Sequence, residues 1–124
     1  MTGAGLAHFK GCKELRRLDL PLTRVTDADL SHFKGCKNLA ILNLCHTQVG
    51  DKGLAHFLGC TNLTELYLIE TKVSDVALAQ FADCKNLTLV RVGHTKVAAA
   101  GIDKLTKALP KCRIEWDGGV IVPR

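Results

Sequence analysis

A single short period dominates this chain. Cys12, Cys36, Cys60 and Cys84 recur every 24 residues, and the sequence around them recurs in step. Self-similarity at such a period is the mark of a stacked repeat array. Four units of equal length run without a gap from Gly5, Asp29, Gly53 and Ala77, and a fifth, at 101–124, departs from the pattern. Within a unit the leucines follow L-x-x-L-x-L: Leu15, Leu18, Leu20, then Leu39, Leu42, Leu44, then Leu63, Leu66, Leu68. Leu87, Val90 and Val92 hold these places in the fourth unit. The last two positions alternate with outward residues at period two, which predicts a short strand with one buried face.

The rest of each unit is equally regular. Thr23, Thr47, Thr71 and Thr95 follow the strands, each two residues before Val25, Val49, Val73 or Val97. A buried turn must satisfy its backbone polar groups, and a stacked threonine hydroxyl is suited to that task. Thr26-Asp27, Gly50-Asp51 and Ser74-Asp75 then place helix-capping residue types before the next apolar pair. Those pairs, Leu6/Phe9, Leu30/Phe33, Leu54/Phe57 and Leu78/Phe81, are spaced i, i+3, the inward stripe of a short helix. Gly11, Gly35 and Gly59 stand where C-terminal glycines end helices, and Asp83 replaces them in the fourth unit.

No strand–turn–helix unit of this size buries its own apolar face, so stacking must supply the core. The expected architecture is α/β: a right-handed solenoid with a parallel sheet on the concave face and short helices on the convex face. The 124 residues are read as one repeat domain, long enough for a continuous core built mainly of leucine and valine.

The period also reinterprets residues that look chemical in isolation. Six cysteines suggest a disulfide framework, but four of them track the repeat. They are read as buried, reduced thiols, which implies a cytoplasmic setting. The Asn62-Leu63-Thr64 and Asn86-Leu87-Thr88 sequons look like glycan acceptors but fall at strand entries within the repeat and are given no meaning. No run of 18 apolar residues occurs, so no membrane-spanning helix is expected, and the segment from Met1 to Gly5 does not read as a signal. The net charge of +5 admits nucleic acid or an acidic protein as a partner without choosing between them.

The L-x-x-L-x-L core and its V-T-D-x-x-L continuation resemble the leucine-rich-repeat family along essentially the whole chain, most closely its cysteine-containing and bacterial short-repeat types. Threonine stands where the family usually has asparagine after the strand. The ending L-P-K-C-R-I-E-W-D-G-G is similar to the close of repeat arrays in planctomycete-type bacterial proteins, some of them attached to kinases. The resemblance implies the solenoid fold strongly and the ligand weakly, because one such scaffold serves many partners.

The two ends differ. Pro110 is expected to end a helix, Trp116 to cover the end of the leucine column, and Val120, Ile121 and Val122 to add a closing segment, making 101–124 a capping unit. Met1 aligns with Val25, so the chain opens in mid-repeat. It is read as the C-terminal part of a longer array, with a homodimer through the uncapped N-terminal end as the alternative.

Function is expected on the outward strand positions, which form ladders with one residue per repeat. Arg17, Ile41, Glu65, Leu89 and Arg113 form one; Asp19, Asn43, Tyr67, Arg91 and Glu115 form a second; Pro21, Cys45, Ile69, Gly93 and Asp117 form a third. Tyrosine, arginine and apolar anchors set among polar residues are what protein interfaces favour. The predicted partner-binding face comprises Arg17, Asp19, Ile41, Asn43, Glu65, Tyr67, Ile69, Leu89 and Arg91, and the predicted partner is a protein or peptide. Leu22, His46, Glu70 and His94 form a ladder at the strand ends that is read as charge-compensated surface rather than a metal site. His8, His32 and His56 are read as solvated. Cys45 is the one thiol expected near solvent. Lys10, Lys13, Lys34, Lys37 and Lys85 gather at helix ends, a basic stripe without the interleaved aromatics of a nucleic-acid site, which disfavours that partner. No catalytic motif is present, and neither enzyme activity nor a cofactor is expected. The alternative role is a structural or self-associating repeat domain fused to a signalling or catalytic domain.

Overall fold

The computed structural model describes residues 14–123. Five short strands lie in parallel in chain order: β1 (Arg17–Asp19), β2 (Ile41–Asn43), β3 (Glu65–Tyr67), β4 (Leu89–Arg91) and β5 (Arg113–Trp116). Pairing is in strict 24-residue register, with Leu18, Leu42, Leu66, Val90 and Ile114 side by side. A sixth strand, β6 (Gly119–Ile121), turns back and pairs antiparallel with β5. Each of the five parallel strands buries its second residue and turns the residues beside it outward, as the alternation requires.

The return segments are tighter than the i, i+3 stripe by itself implies. The first described one is wholly a 3-10 helix, Asp29–Phe33. The next two open as α-helix, α1 (Asp51–Leu54) and α2 (Asp75–Gln80), and close as 3-10 turns at Ala55–Phe57 and Phe81–Asp83. Only α3 (Ala99–Ala108) is long; it ends just before Pro110, as expected. Leu30/Phe33, Leu54/Phe57 and Leu78/Phe81 all face inward and are buried. Gly35 and Gly59 do not end their helices in the left-handed conformation; among the described glycines only Gly119 has a positive φ, of 128°. The turns close instead through Cys36 N–H to Phe33 O (3.0 Å) and Cys60 N–H to Phe57 O (2.9 Å). Cys84 repeats the bond after Asp83, so no glycine is required there. Gly11 lies outside the described residues.

The core is one continuous column between sheet and helices. Leucines at the strand positions, Val25, Val49, Val73 and Val97 at the turns, and Phe33, Phe57 and Phe81 on the helices fill it. The rings of Phe33 and Phe57 stack with centroids 6.5 Å apart. Cys36, Cys60 and Cys84 belong to the same column as free thiols, and Cys60 Sγ donates to Cys36 O at 3.1 Å.

Three side-chain ladders recur along the stack, the first bracing each rung and the other two joining neighbouring rungs. Thr23, Thr47, Thr71 and Thr95 each donate their hydroxyl to the carbonyl three residues earlier, at 2.7 to 2.8 Å. Thr64 and Thr88, the threonines of the two sequons, donate across rungs to Ala40 O and Thr64 O, both at 3.1 Å. The third ladder lies where helix caps are expected. Asp27, Asp51 and Asp75 each accept a backbone N–H of the following repeat, from Gly50, Ser74 and Ala98 respectively, all at 2.8 Å. Helix starts are capped by their neighbours: Ser74 accepts from Val76 N–H, while Thr26 and Asp29 hold each other's backbone N–H in a reciprocal box. In the fourth described unit the aspartate position is held by Ala99, and beyond β5 the chain turns back as β6, antiparallel to it.

The aspartates therefore belong to the stack and not to the surface. Asp51→Ala leaves the Ser74 N–H without its acceptor and should lower stability by about 1–3 kcal/mol in urea unfolding. Asp103→Ala, which removes only the exposed ion pair with Lys107, should change it by no more than about 0.5 kcal/mol.

Candidate binding face

The register assembles the two expected outward ladders on one sheet face. Arg17, Ile41, Glu65, Leu89 and Arg113 are paired neighbours, as are Asp19, Asn43, Tyr67, Arg91 and Glu115. Because partners in antiparallel strands also share a face, Val120 opposite Glu115 extends the second ladder by one rung. The charged groups of this face are already paired with one another. Arg17 bonds Asp19 on β1, and the Tyr67 hydroxyl donates to the Glu65 carboxylate on β3. The Arg91 guanidinium lies 5.8 Å from the centre of the Tyr67 ring, a cation–π distance, and its Nε reaches Glu115 Oε1 at 3.2 Å. The other oxygen of Glu115 takes Arg113 Nε at 3.0 Å. Glu65, Tyr67, Arg91, Glu115 and Arg113 thus form one connected, half-exposed patch across three strands.

The third ladder behaves differently. Cys45 is buried, 9% exposed, because it sits between strand and turn and its N–H donates to Asn43 Oδ1; it is not the exposed thiol expected from the sequence. Ile69 and Gly93 are half-buried, while Pro21 and Asp117 are exposed. The Gly93 position carries no side chain, and beside it the surface sinks into a concavity of about 480 Å³.

At the strand ends, Leu22, His46, Glu70 and His94 all occupy the left-handed region, with φ between 55° and 59°. None is glycine or asparagine, so nothing in the residue types announces the turn. The conformation lets each N–H point along the stack: Leu22 to Cys45 O, His46 to Ile69 O and Glu70 to Gly93 O, at 2.8 to 3.0 Å. At the last rung the carboxylate of Asp117 takes the place of the carbonyl, accepting from His94 N–H at 2.8 Å. The side chains pair instead of converging on an ion. His46 Nδ1 contacts Glu70 Oε2 at 2.8 Å, and His94 faces Asp117 at 3.7 Å. Among the described residues no group of three metal-ligating side chains comes together.

Several other expectations are also refined. His32 and His56 are half-buried rather than solvated. Burial, followed by the nearby Lys34, holds the His56 imidazole below its ordinary pKa. The helix-end lysines have structural work: Lys85 Nζ donates to Ala82 O (3.0 Å) and Ala108 O (3.4 Å), tying two rungs together. Lys34 and Lys37 are exposed, and His8, Lys10 and Lys13 lie outside the described residues. No described helix is long and apolar enough to cross a membrane.

Two titrations probe this arrangement. The hydrogen bond to Glu65, reinforced by partial burial, raises the Tyr67 phenol above its ordinary value. The chain has one tyrosine, so phenolate absorbance reads it alone: ionisation should occur above pH ~10, and Glu65→Gln should bring it back down. Burial likewise pushes the Cys60 thiol up to about 11. A thiol that ionises later when folded contributes stability at neutral pH and loses it as pH rises from its unfolded pKa to its folded one. Urea midpoints should therefore fall between pH 9 and 11, and Cys60→Ala should fall less steeply than the parent over that window.

The likenesses to known proteins agree with the architecture. Residues 13–68 match the family model described as leucine rich repeat. An internalin C2 from Listeria monocytogenes superposes with a TM-score of 0.70 at 25% identity, covering 87% of this chain and 44% of that one. A second internalin of that organism, inlF, superposes with a TM-score of 0.60 at 14% identity, covering 90% of this chain and 37% of that one. The chain thus spans less than half the length of either. No curated protein matches it. The matched segment and the structural neighbours support a leucine-rich-repeat family, and with five parallel strands in a 24-residue register the chain folds as a leucine-rich-repeat domain.

Proposed function

We propose that this domain is a non-catalytic recognition module that docks a protein or peptide on its concave sheet face, centred on Glu65, Tyr67 and Arg91. The fold is in general a protein–protein interaction module, and the arrangement at the centre of the face suits that use. The observation that carries the reading is the Arg91 guanidinium held over the Tyr67 ring and tied to Glu115. Aromatic and arginine anchors whose geometry is fixed before binding lose little side-chain entropy on contact, which is why they dominate interface energetics. Ile41, Leu89 and Ile69 are half-buried apolar neighbours, with Arg17, Asp19 and Asn43 toward the rim.

In this reading residues 101–124 close the stack. Asp117 supplies the last acceptor, Trp116 packs against the end of the core, and β6 covers the edge of β5. The buried free thiols of the core suit the cytoplasm. The Tyr67→Ala/Arg91→Ala double variant should keep the parent's unfolding free energy in urea to within about 1 kcal/mol. It should bind a captured partner at least about 30-fold more weakly, as expected for loss of a hot spot. Unchanged affinity in a folded double variant would overturn the assignment of this face.

A further inference from the structure

We infer that the concavity beside Gly93 is a subsite for a lysine side chain of the docked partner, an inference that rests on the sheet face being the docking face. Its floor is apolar and open: Ile69 on one rung, then Gly93. The third ladder carries a side chain at Pro21, Cys45, Ile69 and Asp117 and none at Gly93, so the gap is one residue wide. An unbranched four-carbon stem suits such a slot, since lysine buries its methylenes along apolar surface and keeps its charge at the rim.

The rim fixes the sign of the guest. Arg91, His94, Glu115 and Asp117 surround the floor, one guanidinium against two carboxylates, on a chain whose net charge is +5. The guanidinium is committed, with its face on Tyr67 and its Nε on Glu115. Glu115 is likewise committed, with one oxygen to Arg91 and the other to Arg113. Asp117 is not. One of its oxygens accepts the His94 N–H at 2.8 Å, and the other has no partner among the described residues. Its side chain is 49% exposed and lines the pocket. A carboxylate with one oxygen fixed by the backbone is pre-oriented for a point-like ammonium donor, which needs no bidentate geometry.

The pocket is separable from the rest of the face. Gly93 does not have a positive φ, and the nearest atom to an added Cβ is Asp117 Oδ1 at 3.7 Å, an ordinary contact. Gly93 thus has room for a Cβ, and Gly93→Val should fold while its side chain obstructs the slot. Asp117→Asn keeps an oxygen for the His94 N–H while removing the charge.

The test is a titration of the ¹⁵N-labelled domain with n-butylammonium, butyrate and n-butanol, followed by amide chemical shifts. Butylammonium should give a saturable shift confined to Ile69, Gly93, His94 and Asp117, with butyrate and butanol producing no such pattern at the same concentration. Gly93→Val should abolish the shift, and Asp117→Asn should weaken binding about fivefold, the effect of a partly exposed ion pair. Equal or stronger shifts with butyrate, saturable shifts elsewhere on the sheet, or none at all would overturn the subsite. The probe needs no protein partner. Failure here with the Tyr67/Arg91 effect intact removes only the lysine pocket, and success here with that effect absent removes only the wider face.

Discussion

Everything in this structure depends on each rung donating its strand-end N–H groups to the next rung's carbonyls, which forces all repeats to share one length and one register. Leu20, Leu44, Leu68 and Val92 donate from the first residue past each strand, and Leu22, His46 and Glu70 continue the ladder two residues later. For that second set to point along the stack, four non-glycine residues take up the left-handed region, at a cost of about 1 kcal/mol each. The surroundings over-determine the turn: the threonine hydroxyl next in sequence holds the carbonyl behind it, and the valine two further on is pinned in the core. A one-residue insertion in any unit would break both ladders at once and turn the leucine column out of the core.

The same constraint explains why the ends must differ from the middle. A repeating donor always leaves its last acceptor missing, and here Asp117 provides it from a side chain. The forward-reaching aspartates end at Ala99, and beyond β5 the strand that follows is β6, which runs the other way. Asp117 apart, the outward face stays free to vary because none of these bonds uses its side chains. The connected patch around Tyr67 and Arg91 and the gap at Gly93 are variations laid on a frame whose inward residues hardly vary at all.

Much of this was legible before any coordinates. The 24-residue period and the L-x-x-L-x-L spacing dictated strands, stacking and the outward ladders, because one side chain per rung at a fixed phase leaves a single parallel register. The threonine hydroxyls found the carbonyls that buried turns require, and the cysteines tracked the core. The aspartates were visible as a column but carried the wrong reading. Asp before an apolar pair signals a helix cap locally, and only the neighbouring rung, 23 residues on, supplies the N–H they accept. The glycines misled for a related reason: short 3-10 turns close by i to i+3 bonds and need no left-handed residue.

By itself, then, the sequence determined the period, the alternation, the composition of the core and which residues share a ladder, since these depend on spacing along one chain. Tertiary structure decided which contacts form along and beside the ladders. Arg91 reaches along its own ladder to Tyr67 on one side and Glu115 on the other, Cys45 sinks between strand and turn, and His46 pairs with Glu70. Such contacts depend on the distance between rungs and on where each side chain leaves the sheet, quantities that exist only once the repeats are stacked.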